Sequence, residues 1–158
     1  MCCEFFWYTA DMKLIIGNWK MFPTSQKEAK QITLGVKKSL VKTTRVKAVV
    51  CPPALYVSSV LARKGSSKLG VGGLNCFHED EGARTGEISP KALASVGATH
   101  IILGHSERRA LGETDAQVAE KAIGAVRNKL TVVLCVGERD RDQHGSYFGA
   151  VSAQLRAS

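Results

Sequence analysis

The ten residues HIILGHSERR, His100 to Arg109, decide how this chain folds. Ile101, Ile102 and Leu103 form an apolar run that reaches Gly104 and then breaks. His105, Ser106, Glu107, Arg108 and Arg109 follow without interruption. The run suits a strand covered on both faces, as in a parallel sheet, where side chains need not alternate between apolar and polar. Five polar or ionisable side chains directly after it would make a poor core. They belong at an exposed strand end.

The same kind of run recurs on both sides, at Leu14–Ile16, Val46–Cys51, Leu69–Leu74 and Val132–Val136. Helical patterns lie between them. Ser25 and Glu28 have capping-box spacing ahead of Ala29, Ile32, Val36 and Leu40 on one face. Leu55–Ala62 is a second apolar-striped segment. Ser89-Pro90 opens a short third helix with proline in the favoured first turn. Thr114 and Gln117 form another capping box, before Val118, Ala122, Ile123 and Val126. Strands alternating with helices predict βαβ units, a parallel sheet in the order 1-2-3-4-5 and helices on the outside. Gly82–Gly86 lies in a long polar loop of the functional or interfacial kind.

Chemistry in parallel α/β proteins sits at the C-terminal ends of the strands. Here those ends are Gly17-Asn-Trp-Lys20, Asn75-Cys76, His105 to Arg109, and Gly137-Glu138. Taken singly, each residue allows a structural reading. Lys20 could solvate a loop as well as bind an anion. His105 could be tied to a backbone carbonyl, and Glu107 with its arginines could form a surface ion-pair network. Asn75 could be a turn residue, and Thr85 and Glu87 could decorate a loop. Gathered at one face, they make a site-like constellation.

Composition bounds the possibilities. The 158 residues, 44% hydrophobic and 23% charged, suit one globular domain. No apolar run approaches the ~20 residues of a membrane span, so no membrane partner is expected. The opening MCCEFFWYTAD is not a secretory signal, which predicts a cytoplasmic location. Cys2, Cys3, Cys51, Cys76 and Cys135 fit reduced thiols there. None forms the paired spacing of a zinc site, Cys76-Phe-His78 being the nearest approach, so no metal is expected. The net charge is +8, but along the chain the basic residues are scattered, with one loose cluster from Lys37 to Lys47 and no stacking aromatics beside it. A solvated helix face, and no nucleic-acid partner, is the expectation. Dinucleotide, P-loop and nucleophile-elbow motifs are absent.

Five segments together carry a specific resemblance: GNWKM at 17–21, GLNC at 73–76, TGEIS at 85–89, ILGHSERR at 102–109 and VLCVGE at 133–138. In this order they closely resemble the triosephosphate isomerase family, over roughly residues 12–158. The resemblance implies an α/β fold of the eight-unit (β/α) TIM-barrel kind, and a reaction that interconverts dihydroxyacetone phosphate and D-glyceraldehyde 3-phosphate through an enediolate, in glycolysis and gluconeogenesis. It implies that His105 and Lys20 are catalytic and that Asn18 and Lys20 bind substrate, with Glu107, Cys135 and Glu138 in support. It implies a homodimer in the full-length enzyme, built through Asn75, Thr85, Glu87 and Arg108. No cofactor is implied. A neutral imidazole at a helix N-terminus is known from this family itself.

The match also has a boundary. Five strands are countable, so the chain corresponds to an incomplete barrel of about five parallel strands with outer helices. Gly149–Ser158 resembles a fifth helix cut short. The family's general base is a glutamate near the end of its sixth strand, followed by a lid and Gly-rich phosphate loops. None of these has a match here, so the general base is expected to be absent and the chain inactive alone. The alternative is a non-catalytic barrel fragment that binds partners. Residues 1–11 have no counterpart and form an extra segment ahead of a 12–158 domain. Phe5, Phe6, Trp7 and Tyr8 could pack over exposed sheet, but an upstream start, with the family's own sequence beginning at Met12, is the favoured reading.

Overall fold

A computed structural model of the chain describes residues 12–138 and 147–158. The aromatic run at 5–8 lies outside the described residues. Five parallel strands, β1 (Lys13–Asn18), β2 (Val46–Cys51), β3 (Leu69–Gly73), β4 (His100–Leu103) and β5 (Thr131–Leu134), are hydrogen-bonded in the order β1-β2-β3-β4-β5. Between and after them come α1 (Gln26–Val41), α2 (Val57–Lys64), α3 (Pro90–Ser95), α4 (Ser106–Ala110), α5 (Asp115–Arg127) and α6 (Tyr147–Ala157). A 3-10 turn, Ala54–Tyr56, leads into α2. This is the expected topology, a five-stranded half-barrel. Among the described residues, β1 and β5 each have one strand partner.

The strands separate two cores by simple alternation. Ala48, Val50, Leu69, Val71, Ile101 and Leu103 pack with helical side chains such as Ala29, Val57, Leu93, Val118 and Ala125. The residues one position out of phase face the concave side. There Val49, Cys51 and Ile102 are buried against Leu14, Ile16, Leu74, Val133 and Cys135. Apolar side chains are thus needed on both faces, and the runs show no polar alternation. Close packing also explains the glycines of β3. A Cβ on Gly72 would lie 2.8 Å from Cys51 Sγ and 2.9 Å from the His100 carbonyl oxygen.

The N-caps form where their spacing predicts, although at Ser25 only the bond from the Glu28 amide is made and the reciprocal half of the capping box is not. Ser25 Oγ accepts from the Glu28 amide at 3.3 Å, and Ser89 Oγ from the Ala92 amide at 3.1 Å. Thr114 and Gln117 form a full capping box, at 3.2 and 2.9 Å. The buried faces differ in detail. In α5 the inward residues are Val118, Lys121, Gly124 and Ala125, while Ile123 and Val126 are 66% and 64% exposed. A buried ion pair draws Lys121 inward and turns the apolar pair out. In α1, Thr33 replaces Ile32 in the core because its hydroxyl donates to the Ala29 carbonyl at 2.7 Å, which satisfies it there. Leu55 sits in the 3-10 turn and is exposed, whereas Val57 and Val60 carry the packing of α2. β5 ends at Leu134, two residues short of the apolar run. No helix among the described residues is long and apolar enough to cross a membrane.

Candidate active site

β1 ends beside β2 in the register Asn18↔Cys51, and the Trp19 amide donates to the Cys51 carbonyl at 3.0 Å. The chain then turns sharply. Lys20 has φ +53, and its amide donates to Asn18 Oδ1 at 2.8 Å. A side chain in left-handed backbone costs about 1–3 kcal/mol where the surroundings enforce it, and glycine would be the default there. A lysine in that place points to a use for its side chain. Its Nζ lies 2.6 Å from Glu107 Oε1, bringing the ends of β1 and β4 together.

On the β4 side, Gly104 (φ +68) turns the chain out of the strand and His105 caps α4. Its Nδ1 accepts from the Glu107 amide at 3.2 Å. A ring nitrogen that accepts carries no proton, so the hydrogen-bond pattern assigns the proton of neutral His105 to Nε2. Nε2–H is then the ring's only donor. Arg109 fixes the turn: its Nε donates to the Gly104 carbonyl at 2.7 Å, and its guanidinium pairs with Asp115. Glu107 Oε2 lies 3.6 Å from His105 Nδ1. The hydrogen bond from Lys20 holds the Glu107 carboxyl below its ordinary range, partly opposed by desolvation, with the Lys20 charge adding to the depression and that of His105 adding only when its ring is protonated. The Lys20 and His105 side chains remain 53% and 23% exposed, so a ligand can reach them.

Cys135 and Glu138 follow β5. Cys135 faces the concave core, where burial raises its thiol pKa against a smaller opposing pull from Arg109. Both residues line an open cleft of about 690 Å³ that also reaches His105 and Gln154. Gln154 Oε1 accepts from the Gly137 amide at 2.8 Å.

The remaining sequence candidates sit one layer away. Asn75 Oδ1 accepts from Lys121 Nζ at 3.2 Å. Lys121 also pairs with Glu113, and Arg108 Nε lies 3.6 Å from the same Glu113 oxygen. The Glu113 and Lys121 side chains are only 3% and 8% exposed. Sequence reasoning missed this pair, since no local pattern marks a buried lysine. Thr85 and Glu87 lie at the exposed tip of the loop after β3 and are not drawn to Lys20 or His105 of their own chain. The stem of that loop is anchored instead. Asp80 pairs with Arg127 at 2.8 Å and accepts from Asn128 at 2.6 Å. Met21 and Phe22, next to Lys20, were also missed; they are 86% and 71% exposed. Among the described residues, no group of three or more His, Cys, Asp and Glu is placed to hold a metal.

Known proteins are similar to this chain over most of its length. A family model described as triosephosphate isomerase matches residues 13–158. The chain is 43% identical over 145 residues to the triosephosphate isomerase of Moorella thermoacetica, a match covering 90% of this chain and 57% of the relative. It is 40% identical over 147 residues to that of Chloroflexus aurantiacus, covering 92% of this chain and 58% of the relative. The chain thus spans rather more than half the length of these curated relatives.

Proposed function

The chain belongs to the triosephosphate isomerase family, and we propose that it carries the lysine–histidine side of an isomerase site that interconverts dihydroxyacetone phosphate and D-glyceraldehyde 3-phosphate. The observation that carries this reading is the arrangement of two donors, a lysine ammonium and a histidine Nε2–H. They are joined through Glu107, whose carboxylate holds Lys20 and whose backbone amide donates to His105 Nδ1.

The chemistry follows from charge. Removing a proton beside a carbonyl builds negative charge on the carbonyl oxygen. A fixed donor aimed there stabilises the enediolate more than the substrate, which is what lowers a barrier. His105 supplies that donor through Nε2. A neutral imidazole also matches the developing oxyanion better than a full cation would, since it can give a proton to either oxygen and recover it. Lys20 supplies the positive charge that attracts the phosphate-bearing substrate. Asn18 holds the Lys20 backbone by its amide, while Glu107 restrains the ammonium before substrate arrives. Cys135 and Glu138 support the wall of the cleft. Proton transfer of this kind needs neither metal nor nucleotide.

The reading assigns no general base within these 158 residues. Glu107 is engaged with Lys20, and the family resemblance places the base beyond the fifth unit. A positioned base is commonly worth about 10²–10⁴-fold. Turnover is therefore expected only when the chain is joined to the remaining length of its relatives. A homodimer is part of the same reading: the exposed 81–87 loop tip would dock beside Lys20 of a second copy, near Met21 and Phe22, with Glu87 meeting the partner's Arg108. A cytoplasmic location fits a glycolytic reaction.

The test is isomerisation by two purified proteins, the 158-residue chain and that chain fused to the C-terminal remainder of the Moorella relative. The fusion should turn over, and His105→Gln should remove most of its kcat while leaving its circular dichroism unchanged. Full activity of the His105→Gln fusion would refute the assigned donor. Turnover by the short chain that vanished with His105→Gln would place a base inside it and refute the reading of what is missing.

A further inference from the structure

Charge is divided unevenly along the chain. Residues 12–78 hold twelve Lys and Arg against a single acid, Glu28, whereas residues 79–158 hold ten against eleven acids. The second stretch pairs its own cations, as Arg84, Lys91, Arg108, Arg109, Lys121 and Arg127 each lie within 4.0 Å of a carboxylate. In the first stretch Lys20 alone has such a pair among the described residues, Arg45 set aside.

The fold gathers what the sequence scatters. β1 to β3 run parallel, so the segments that enter them share one end of the sheet. Arg45 precedes β2, and its carbonyl accepts from the Lys13 amide at 2.9 Å. Lys68 precedes β3, its carbonyl accepting from the Ala48 amide at 2.9 Å and its Nζ reaching the Thr43 carbonyl at 2.5 Å. Lys42 caps α1 and Lys64 ends α2 at the same end. Lys37 Nζ lies 2.8 Å from where a Gly65 Cβ would stand, so it reaches the loop after α2. Five lysines from three connections, Lys13, Lys37, Lys42, Lys64 and Lys68, thus share one face. It lies across the length of β1 from Lys20, ~20 Å for six residues at ~3.3 Å each.

Helix dipoles account for part of this. Cations near the last turn of α1 and α2 are favoured by the negative end of each helix dipole. They do not account for Lys13 or Lys68, which lie on strand starts and loops. Hydroxyls stand between the cations, at Thr43, Thr44, Ser66 and Ser67. Arg, Lys, Ser and Thr are the side chains that contact the sugar-phosphate backbone. No Phe, Tyr or Trp occurs at 37–47 or 61–69, so among the described residues the face offers no platform for stacking single-stranded bases. Among the described residues Val41 is its one large exposed apolar residue, too little to anchor a lipid surface.

We propose that the basic face at the N-terminal ends of β1–β3 docks the phosphate backbone of duplex nucleic acid, without reading sequence and apart from the candidate active site.

The probe is a fluorescein-labelled 20-base-pair duplex of random sequence, titrated with the 158-residue chain by anisotropy between 50 and 200 mM NaCl. If the face neutralises about four phosphates, log K should fall with log salt at a slope of about −3.6. Lys37→Gln/Lys42→Gln/Lys64→Gln should bind at least tenfold more weakly, with the slope reduced by about three. Lys27→Gln/Lys30→Gln/Lys91→Gln removes the same charge elsewhere and should change affinity less than threefold. Equal losses in the two triple variants would mean attraction by net charge alone, and would overturn the proposal. So would absence of binding at 50 mM NaCl, or tighter binding to phosphatidylserine vesicles than to the duplex. Circular dichroism establishes that both variants are folded.

Discussion

At the residue scale, Lys20 is where stability and use part company. Its left-handed backbone suits glycine, and its side chain is placed against Glu107 at 2.6 Å. Lys20→Gly should therefore raise stability by about 1 kcal/mol through relief of backbone strain, read as a shift of the urea midpoint. The same change removes the ammonium. Glu107 then loses the hydrogen bond that depresses its carboxyl, and its titration midpoint, followed by NMR, should move up toward the ordinary glutamate range. The sign of the linkage is fixed by that depression. The Lys20–Glu107 pair contributes above the unfolded carboxyl pKa and is lost as pH falls through the folded one. An unchanged Glu107 midpoint in Lys20→Gly would show that the pair does not persist in solution. The Lys20 strain was not legible in the sequence, because nothing in GNWKM announces a positive φ at a lysine.

At the element scale, strands were legible and helix faces less so. Apolar runs located all five strands because burial on both sides disfavours polar residues, and β2 matches its run end to end, with Lys47 tolerated only at its exposed start. Helices α1 and α5 kept their caps but rotated their faces, since a side-chain bond or ion pair can bury Thr33 or Lys121 where periodicity favours Ile32 or Ile123. The junction of β4 with α4 shows how tightly an element can be specified by one residue. A Cβ on Gly104 would lie 2.8 Å from an Arg109 guanidinium nitrogen, 3.1 Å from Val118 Cγ1 and 3.2 Å from the Cys135 carbonyl, at φ +68. Gly104→Ala thus combines backbone strain with overpacking, each costing about 1–3 kcal/mol. Thermal unfolding should drop accordingly. His105 should also lose its bond from the Glu107 amide, so its NMR signals would report a mixture of ring tautomers. A variant as stable as the parent, with His105 Nδ1 still accepting, would show that the turn does not depend on glycine.

At the scale of the whole molecule, contacts between units matter more than any one unit. The order of the strands follows from the βαβ rhythm. The ties between units are long-range and cannot be seen in a window of sequence. Lys121 of α5 pairs with Glu113 before that helix and reaches back 46 residues to Asn75 at the end of β3. Burial near this cluster also raises the Cys76 thiol to about 11, with the Lys121 charge pulling it down and those of Glu113 and Glu87 pushing it up. Glu113 Oε2 is buried without a hydrogen-bond partner among the described residues. Glu113 therefore depends on Lys121 for compensation, Arg108 being a more distant and more exposed cation. Lys121→Met fills the same space but strands a buried carboxylate, and breaking such a pair costs about 3–5 kcal/mol. Replacing both partners by apolar side chains of similar size removes the stranded charge along with its partner. Glu113→Leu/Lys121→Met should recover most of the loss, because the pair's own desolvation cost then disappears as well. Urea unfolding of the parent, both single variants and the double variant closes the cycle. If the double variant were as unstable as the sum of the singles, the two residues would act independently, and the pair would not be the tie that joins α5 to the end of β3.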